Sequence, residues 1–324
     1  MTAYLPYPDW LNAVISPLVP VRWYTLLHLL AYLLVFALFL RHLRRNDGSD
    51  EVASAQRFFF WFILGYLIAG RVVAVVLFTP LEELLARPWL VVWPFDGDME
   101  YQGLRGMSFG GGLIGGGLAL LLYRLKYRIN LLLWADALVI GIPLMFVLVR
   151  LGNFANQELY GRVTSLPWGI VFPEALPVRL TGEGMYRRAV ALGVDVIGNS
   201  GYANMPRHPA QLYEAVITGL AAWGALQIWI IRRRLFPGMA AAVYLIIYGA
   251  AQFLFGYIRI PPLREPFVLR VSSPDEPVAV FTSFLDLTAD QLLSLLIAAL
   301  GVGALLLLRR YRAGRPGVET YHSG

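Results

Sequence analysis

The segment Arg150-Leu-Gly-Asn-Phe-Ala-Asn-Gln-Glu-Leu-Tyr-Gly161 sets a guanidinium, two carboxamides and a carboxylate at the mouth of an apolar run, Leu131–Val149, whose one acidic residue is Asp136. Such groups are costly beside hydrocarbon and persist where they hold a polar ligand or one another. A cation at a helix C-terminus gains roughly 0.3–1 kcal/mol from the dipole. That accounts for Arg150 alone; Asn153, Asn156 and Glu158 need another reason. A second segment, Arg207-His-Pro-Ala-Gln-Leu-Tyr-Glu214, opens a further apolar run. Pro209 suits a first helical turn, with His208 at or near the N-cap, and Gln211 and Glu214 share a face. Glu214 then lies about 9 Å along the axis from His208. A lone carboxylate there is expensive, so it is protonated or paired with an arginine.

The elements that carry these groups are membrane helices. The chain has 324 residues, 58% hydrophobic and 15% charged. Runs of roughly 18–22 apolar residues mark spans, and seven are expected: Val21–Leu40, Phe58–Phe78, Met107–Tyr123, Leu131–Val149, Gln211–Ile231, Met239–Tyr257 and Leu292–Leu308. The fold class is thus an all-α polytopic bundle: one domain over 1–315, a small extracytoplasmic cap between spans four and five (162–207), and a disordered tail, 316–324. No basic n-region or small-residue cleavage pattern precedes the first run, so it is expected to be a retained span.

The net charge of +6 follows topology. Arg41, Arg44 and Arg45, then Arg124, Lys126 and Arg128, then Arg232–Arg234, then Arg309, Arg310, Arg312 and Arg315 occupy alternate loops. Glu82, Glu83, Asp96, Asp98, Glu100, Asp275 and Glu276 occupy the others. The positive-inside rule places the N-terminus outside and the C-terminus in the cytoplasm. No nucleic-acid partner is expected from charge so distributed. Absent cysteines exclude disulfides and a protein thiol nucleophile, and four scattered histidines indicate no metal site.

On this topology Tyr24, His28, Arg71, Arg150–Gly161, His208–Glu214 and Arg259 all fall in the outer half of the bundle. One polar cavity there gathers nearly every anomaly. Arg71 lies about 10 Å inside span two, where it either snorkels or pairs between helices, or faces a ligand. Gly110-Gly-Gly-Leu-Ile-Gly115 fits a dinucleotide fingerprint literally, but it opens a membrane helix rather than following a strand, so it signals helix packing. No internal repeat supports a transporter.

These segments resemble the bacterial prolipoprotein diacylglyceryl transferase family. Arg150–Gly161 is similar to its Gly-Arg-x-Gly-Asn-Phe-x-Asn-x-Glu signature, with Val149 in place of the leading glycine, and His208–Glu214 to its His-Pro-Ser-Gln-Leu-Tyr-Glu block. Arg22-Trp-Tyr24, Ala69-Gly-Arg71 and Gly106–Gly115 match motifs of the first three spans. The resemblance implies a bacterial inner-membrane enzyme that moves diacylglycerol from phosphatidylglycerol to the lipobox cysteine thiol in a prolipoprotein signal peptide, without a cofactor. Its partners are those two substrates and membrane lipid. Arg150, His208 and Tyr24 are the residues expected to be catalytic. The resemblance implies Asn153, Asn156, Glu158, Gly161, Arg71, Gln211, Glu214, Tyr248 and Arg259 as substrate-binding, with Arg150 on the phosphate and Asn153 and Glu158 on the headgroup.

Three departures bear on that expectation. Gly110 stands where the family has a histidine, and Gln252 and Gly256 where it has an arginine and a glutamate. The lost Arg and Glu form an i, i+4 pair, so their joint loss leaves no unpaired charge. His208, or His28 one turn from Tyr24, is the expected substitute base. The alternative is a lipid-binding paralogue that lacks the catalysis or uses another acceptor.

Overall fold

Backbone amides in hydrocarbon must pair within their own segment, and among the described residues the long apolar runs are mainly helical in the computed structural model. It describes residues 4–16, 19–46, 51–79, 81–91, 108–180, 182–197, 201–232, 236–261, 267–273 and 277–313. The tail 316–324, Met107, the acids Asp96, Asp98, Glu100, Asp275 and Glu276, and Arg233, Arg234 and Arg315 lie outside the described residues.

Strand β1 (Leu5–Pro6) and the hairpin of β2 (Val14–Ser16) and β3 (Val19–Arg22) lead into α1 (Trp23–Asn46). Helix α2 (Glu51–Phe78), the short α3 (Leu81–Ala86) and α4 (Phe109–Tyr127) follow. Span four is two helices, α5 (Leu131–Val139) and α6 (Ile142–Ala155). The stretch Leu131–Ala155 is long and apolar enough to cross a bilayer, as expected of this run, and is interrupted at Ile140 and Gly141. The break has a steric cause: a Cβ on Gly141 would lie 2.8 Å from Cα of Val35, and Pro143 occupies the first turn of α6, where its missing N–H costs nothing.

Beyond α6 come β4 (Ile170–Val171), β5 (Val178–Arg179), α7 (Gly182–Leu192) and β6 (Tyr202–Ala203). Strand β1 pairs parallel with β4, and β5 antiparallel with β6. Two small apolar clusters sit among them, one of Val163, Val178, Ala189, Leu192, Ala203 and Met205, the other of Tyr7, Phe154, Ile170, Phe172 and Ala175. Buried Arg162 and Arg207 fasten this region: Arg162 donates to the carbonyls of Arg259 (3.2 Å) and Val280 (2.9 Å), and Arg207 to that of Leu176 (2.6 Å).

Span five begins as α8 (Ala210–Glu214), widens into a π-helical stretch (Ala215–Ala221) and resumes as α9 (Ala222–Arg232). Pro209 is the N-cap of this helix, with His208 immediately before it as expected, and no side chain supplies a cap bond. Helix α10 (Met239–Phe255), β7 (Phe267–Leu269), β8 (Leu287–Thr288) and α11 (Ala289–Ala313) complete the chain. Among the described residues, four stretches are long and apolar enough to cross a bilayer: Trp23–Arg44, Ala53–Leu77, Leu131–Ala155 and Ala289–Tyr311; Met239–Phe255 is a shorter apolar helix. Membership of a polytopic membrane class follows from these.

Close approach rests on small residues. On α4, a Cβ at Gly111 would lie 2.9 Å from the Ala69 carbonyl, and one at Gly115 would strike the Gly65 carbonyl. The glycine cluster is thus the seam between α2 and α4, as small-residue packing requires. A Cβ at Gly249 would lie 2.5 Å from the Ser294 carbonyl, which sets α10 equally tight on α11. Asp136 has a local explanation too. Its carboxylate accepts from the N–H groups of Gly238 (2.8 Å) and Ala241 (2.9 Å) and so caps α10 from the neighbouring helix.

Candidate active site

Helix α6 ends by projecting Arg150 and Asn153 into the bundle, both buried. Arg150 Nη2 lies 2.8 Å from Glu214 Oε2 on α8, with the side chains 5% and 0% exposed. Its Nη1 donates to Asn153 Oδ1 at 3.3 Å, and its guanidinium sits 4.7 Å from the Phe146 ring. The carboxamide of Gln252, on α10, bridges the ion pair. Its oxygen accepts from Arg150 at 3.4 Å and its nitrogen donates to Glu214 Oε2 at 2.9 Å.

The loop after α6 folds back onto the same group. Glu158 Oε1 accepts from Asn153 Nδ2 (3.0 Å) and Asn156 Nδ2 (3.4 Å). Gln211 Nε2 donates to the Glu158 carbonyl at 2.7 Å, which ties this loop to α8. Two residues in the left-handed region, Gln157 (φ 54°) and Leu159 (φ 57°), reverse the chain around Glu158. Arg259 closes the far side, with Nε 3.7 Å from Glu214 Oε1 and Nη2 2.7 Å from Asp290 Oδ2 on α11.

Several buried atoms in this cluster lack a hydrogen-bond partner: Arg150 Nε, Asn156 Oδ1, Gln211 Oε1 and Glu214 Oε1. Donors and acceptors left so in a dry interior are expensive. These unpartnered atoms make the cluster a candidate site for a polar ligand.

Other expected residues stand around this centre. Tyr24 opens α1, and a Cβ on Gly152 would come within 3.1 Å of its Cα, so α1 packs directly behind Arg150 and Asn153. Tyr24 and Tyr248 both lie within electrostatic reach of Arg150. The Tyr248 ring packs on Phe109 (5.3 Å) and Phe146 (5.9 Å). Gly161 is a steric requirement: its N–H donates to the His208 carbonyl at 2.8 Å, and a Cβ there would lie 2.8 Å from that oxygen. Arg71, half-buried on α2, sits beside the seam where Gly70 accepts from Ser108 N–H at 3.0 Å.

The two histidines differ in what their rings do. His28 Nδ1 is 2.8 Å from the Tyr24 carbonyl, and its ring lies 4.0 Å from that of Tyr24, tilted by 42°. A carbonyl only accepts, so Nδ1 carries the proton and Nε2 holds the lone pair of the neutral ring. His208 Nδ1 instead lies 3.4 Å from the Tyr213 hydroxyl, which takes a bond from Trp168 Nε1 at 2.7 Å. Burial, and then nearby Arg188, lower the His208 pKa below its ordinary value. Gln252 and Asp290 belong to the cluster without having been expected there: the first reads as a loss, the second as an acid at a helix start.

A model of the prolipoprotein diacylglyceryl transferase family matches residues 12–307. The chain belongs to this family. It is similar to proteins named phosphatidylglycerol–prolipoprotein diacylglyceryl transferase from Treponema denticola (32% identity, 95% of each chain) and Treponema pallidum (33%, 94% of this chain and 95% of the other). A protein of the same name from Cereibacter sphaeroides is 32% identical over 95% of this chain and 99% of its own.

The space beside two glycines of this region is occupied. A Cβ at Gly110 would lie 3.2 Å from Ile297 and 3.4 Å from Leu293, and one at Gly256 would lie 2.6 Å from Cδ of Gln291. All three neighbours come from α11.

Proposed function

We propose that this chain transfers a diacylglyceryl group from phosphatidylglycerol to the lipobox cysteine thiol of prolipoproteins. It does so at the outer leaflet of a bacterial inner membrane, as a bundle of seven spans with the N-terminus outside. The observation that carries this reading is the Arg150–Glu214–Arg259 cluster, with Arg150 and Glu214 buried, taken with relatives that bear the transferase's name over 94–95% of the chain. Those names do not favour the alternative of a re-purposed, non-catalytic paralogue.

The chemistry fits the side chains present. The thiol sulfur forms a bond to the glycerol carbon that bears the phosphate, the carbon–oxygen bond breaks, and glycerol phosphate leaves with the electron pair. Its phosphate gains negative charge as it departs, and preorganised guanidinium donors stabilise that change more than they stabilise the ground state. Arg150 is the donor placed for this, with Arg259 behind Glu214. Asn153, Asn156 and Glu158 offer amide and carboxylate groups to the glycerol hydroxyls of the headgroup. The thiol proton goes to a ring nitrogen, His28 Nε2 or His208. The folded region 162–207 covers the outer mouth, where the signal peptide arrives.

Complementation of a transferase-depleted bacterium tests the proposal, with the mass of a reporter lipoprotein as readout. The chain restores the diacylglyceryl mass increment; growth and lipoprotein mass left as in the depleted strain would overturn it.

A further inference from the structure

Gln252 and Gly256 stand where the family pattern has a cation and a carboxylate on span six, so α10 itself brings no acid to the site. The space at Gly256 is taken by the first turn of α11, since a Cβ there would meet Gln291 Cδ at 2.6 Å and its Nε2 at 2.9 Å. Next to Gln291 is Asp290, whose Oδ2 accepts from Arg259 Nη2 at 2.7 Å. The same guanidinium turns Nε toward Glu214 Oε1 at 3.7 Å. One cation is thus held by carboxylates from two other helices, with Arg259 14%, Asp290 24% and Glu214 0% exposed.

We infer that Asp290 is a positioning residue, supplying from α11 the carboxylate that α10 lacks. With one end fixed by Asp290, Arg259 engages Glu214 through Nε alone. Glu214 is then shared between Arg259 and Arg150, and Arg150 keeps donor capacity, its unpartnered Nε included, for the lipid phosphate. Without Asp290, Arg259 swings free of Glu214, the carboxylate closes fully on Arg150, and the phosphate loses its best donor. The inference rests on the proposed transferase activity.

The sign of one kinetic constant separates this role from simple charge. Removing a bystander carboxylate near a site for an anion makes the site more cationic and lowers KM. Removing a positioning carboxylate raises it. The full-length chain, reconstituted in vesicles of graded phosphatidylglycerol content with a lipobox preprotein, is compared with D290N and D290E. Expected is a KM for phosphatidylglycerol raised about tenfold in D290N, with kcat changed less, and a near-normal KM in D290E. If D290N does not accumulate in membranes, D290S, equally neutral and smaller, carries the same expectation. A KM equal to or below that of the unaltered chain, or a D290E variant as impaired as D290N, overturns the inference. No transfer by the unaltered chain overturns the proposed function instead.

Discussion

Arg150 Nη2 and Glu214 Oε2 meet at 2.8 Å between α6 and α8, with neither side chain more than 5% exposed. Ions this deep repay their desolvation only when remaining donors and acceptors are also engaged. Gln252 engages one flank, and Arg259 approaches the other Glu214 oxygen.

Glu214→Gln leaves the buried Arg150 guanidinium facing a neutral amide, while Arg259 keeps Asp290 as its partner. Loss of one partner from a buried pair costs about 3–5 kcal/mol, so the thermal midpoint in detergent falls. An anion supplied by the lipid replaces the lost charge, so phosphatidylglycerol raises the midpoint of E214Q more than that of the unaltered chain. Equal lipid shifts in the two would contradict this placement of the phosphate.

Asn153→Ala removes the bond that fixes Glu158 at 3.0 Å and one acceptor of Arg150 at 3.3 Å. The helix end remains, so protein yield is kept while kcat/KM falls about 10–100-fold, roughly the loss of two charge-assisted bonds. Transfer kinetics with purified variants give the answer. N153D is worse, because it sets a second carboxylate against Glu158.

The pH dependence distinguishes the two histidines. His208 is held below its ordinary pKa by burial and then by Arg188, so its neutral form is favoured in the fold. Stability linked to it is present above the unfolded value of about 6.5 and is lost as pH falls through that range. If His208 takes the thiol proton, Arg188→Ala removes a cation, raises its pKa and moves the acid limb of kcat/KM to higher pH. If His28 does so, R188A leaves that limb in place. A pH–rate profile of the two proteins decides between them.

Gly161→Ala adds a Cβ 2.8 Å from the His208 carbonyl and 3.0 Å from that of Ile258. Neither backbone can move away without shifting the start of α8 or the end of α10. Overpacking of this kind costs about 1–3 kcal/mol, and the displaced α8 carries Glu214 with it. A lower thermal midpoint together with lost transfer is expected; intact activity would mean the glycine serves neither purpose.

Much of this arrangement is legible in the residues themselves. Apolar runs give the helices, because hydrocarbon forbids unpaired backbone. The cost of a lone buried carboxylate limits Glu214 to a proton or an arginine partner, and the structure supplies the arginine. The break at Gly141 and the π-helical stretch after Glu214 are not legible, since each is imposed by packing against another helix. Gln252 looks like a deletion of charge when α10 is read alone; only the meeting of α6, α8 and α10 reveals it as a bridge. Asp290 is hidden for the same reason: an acid in a first helical turn has a local explanation in the dipole, and its partner lies on another helix.

The most direct test sets Arg150 against the transfer itself. The purified chain and its R150A variant, each reconstituted with phosphatidylglycerol and a preprotein bearing a lipobox cysteine, are followed by mass spectrometry of the preprotein. The unaltered chain adds one diacylglyceryl group at the cysteine sulfur and releases glycerol phosphate. R150A, with unchanged helix content, transfers at least about a hundredfold more slowly, as expected when a main donor to a developing oxyanion is lost. Equal rates in the two proteins would contradict the account.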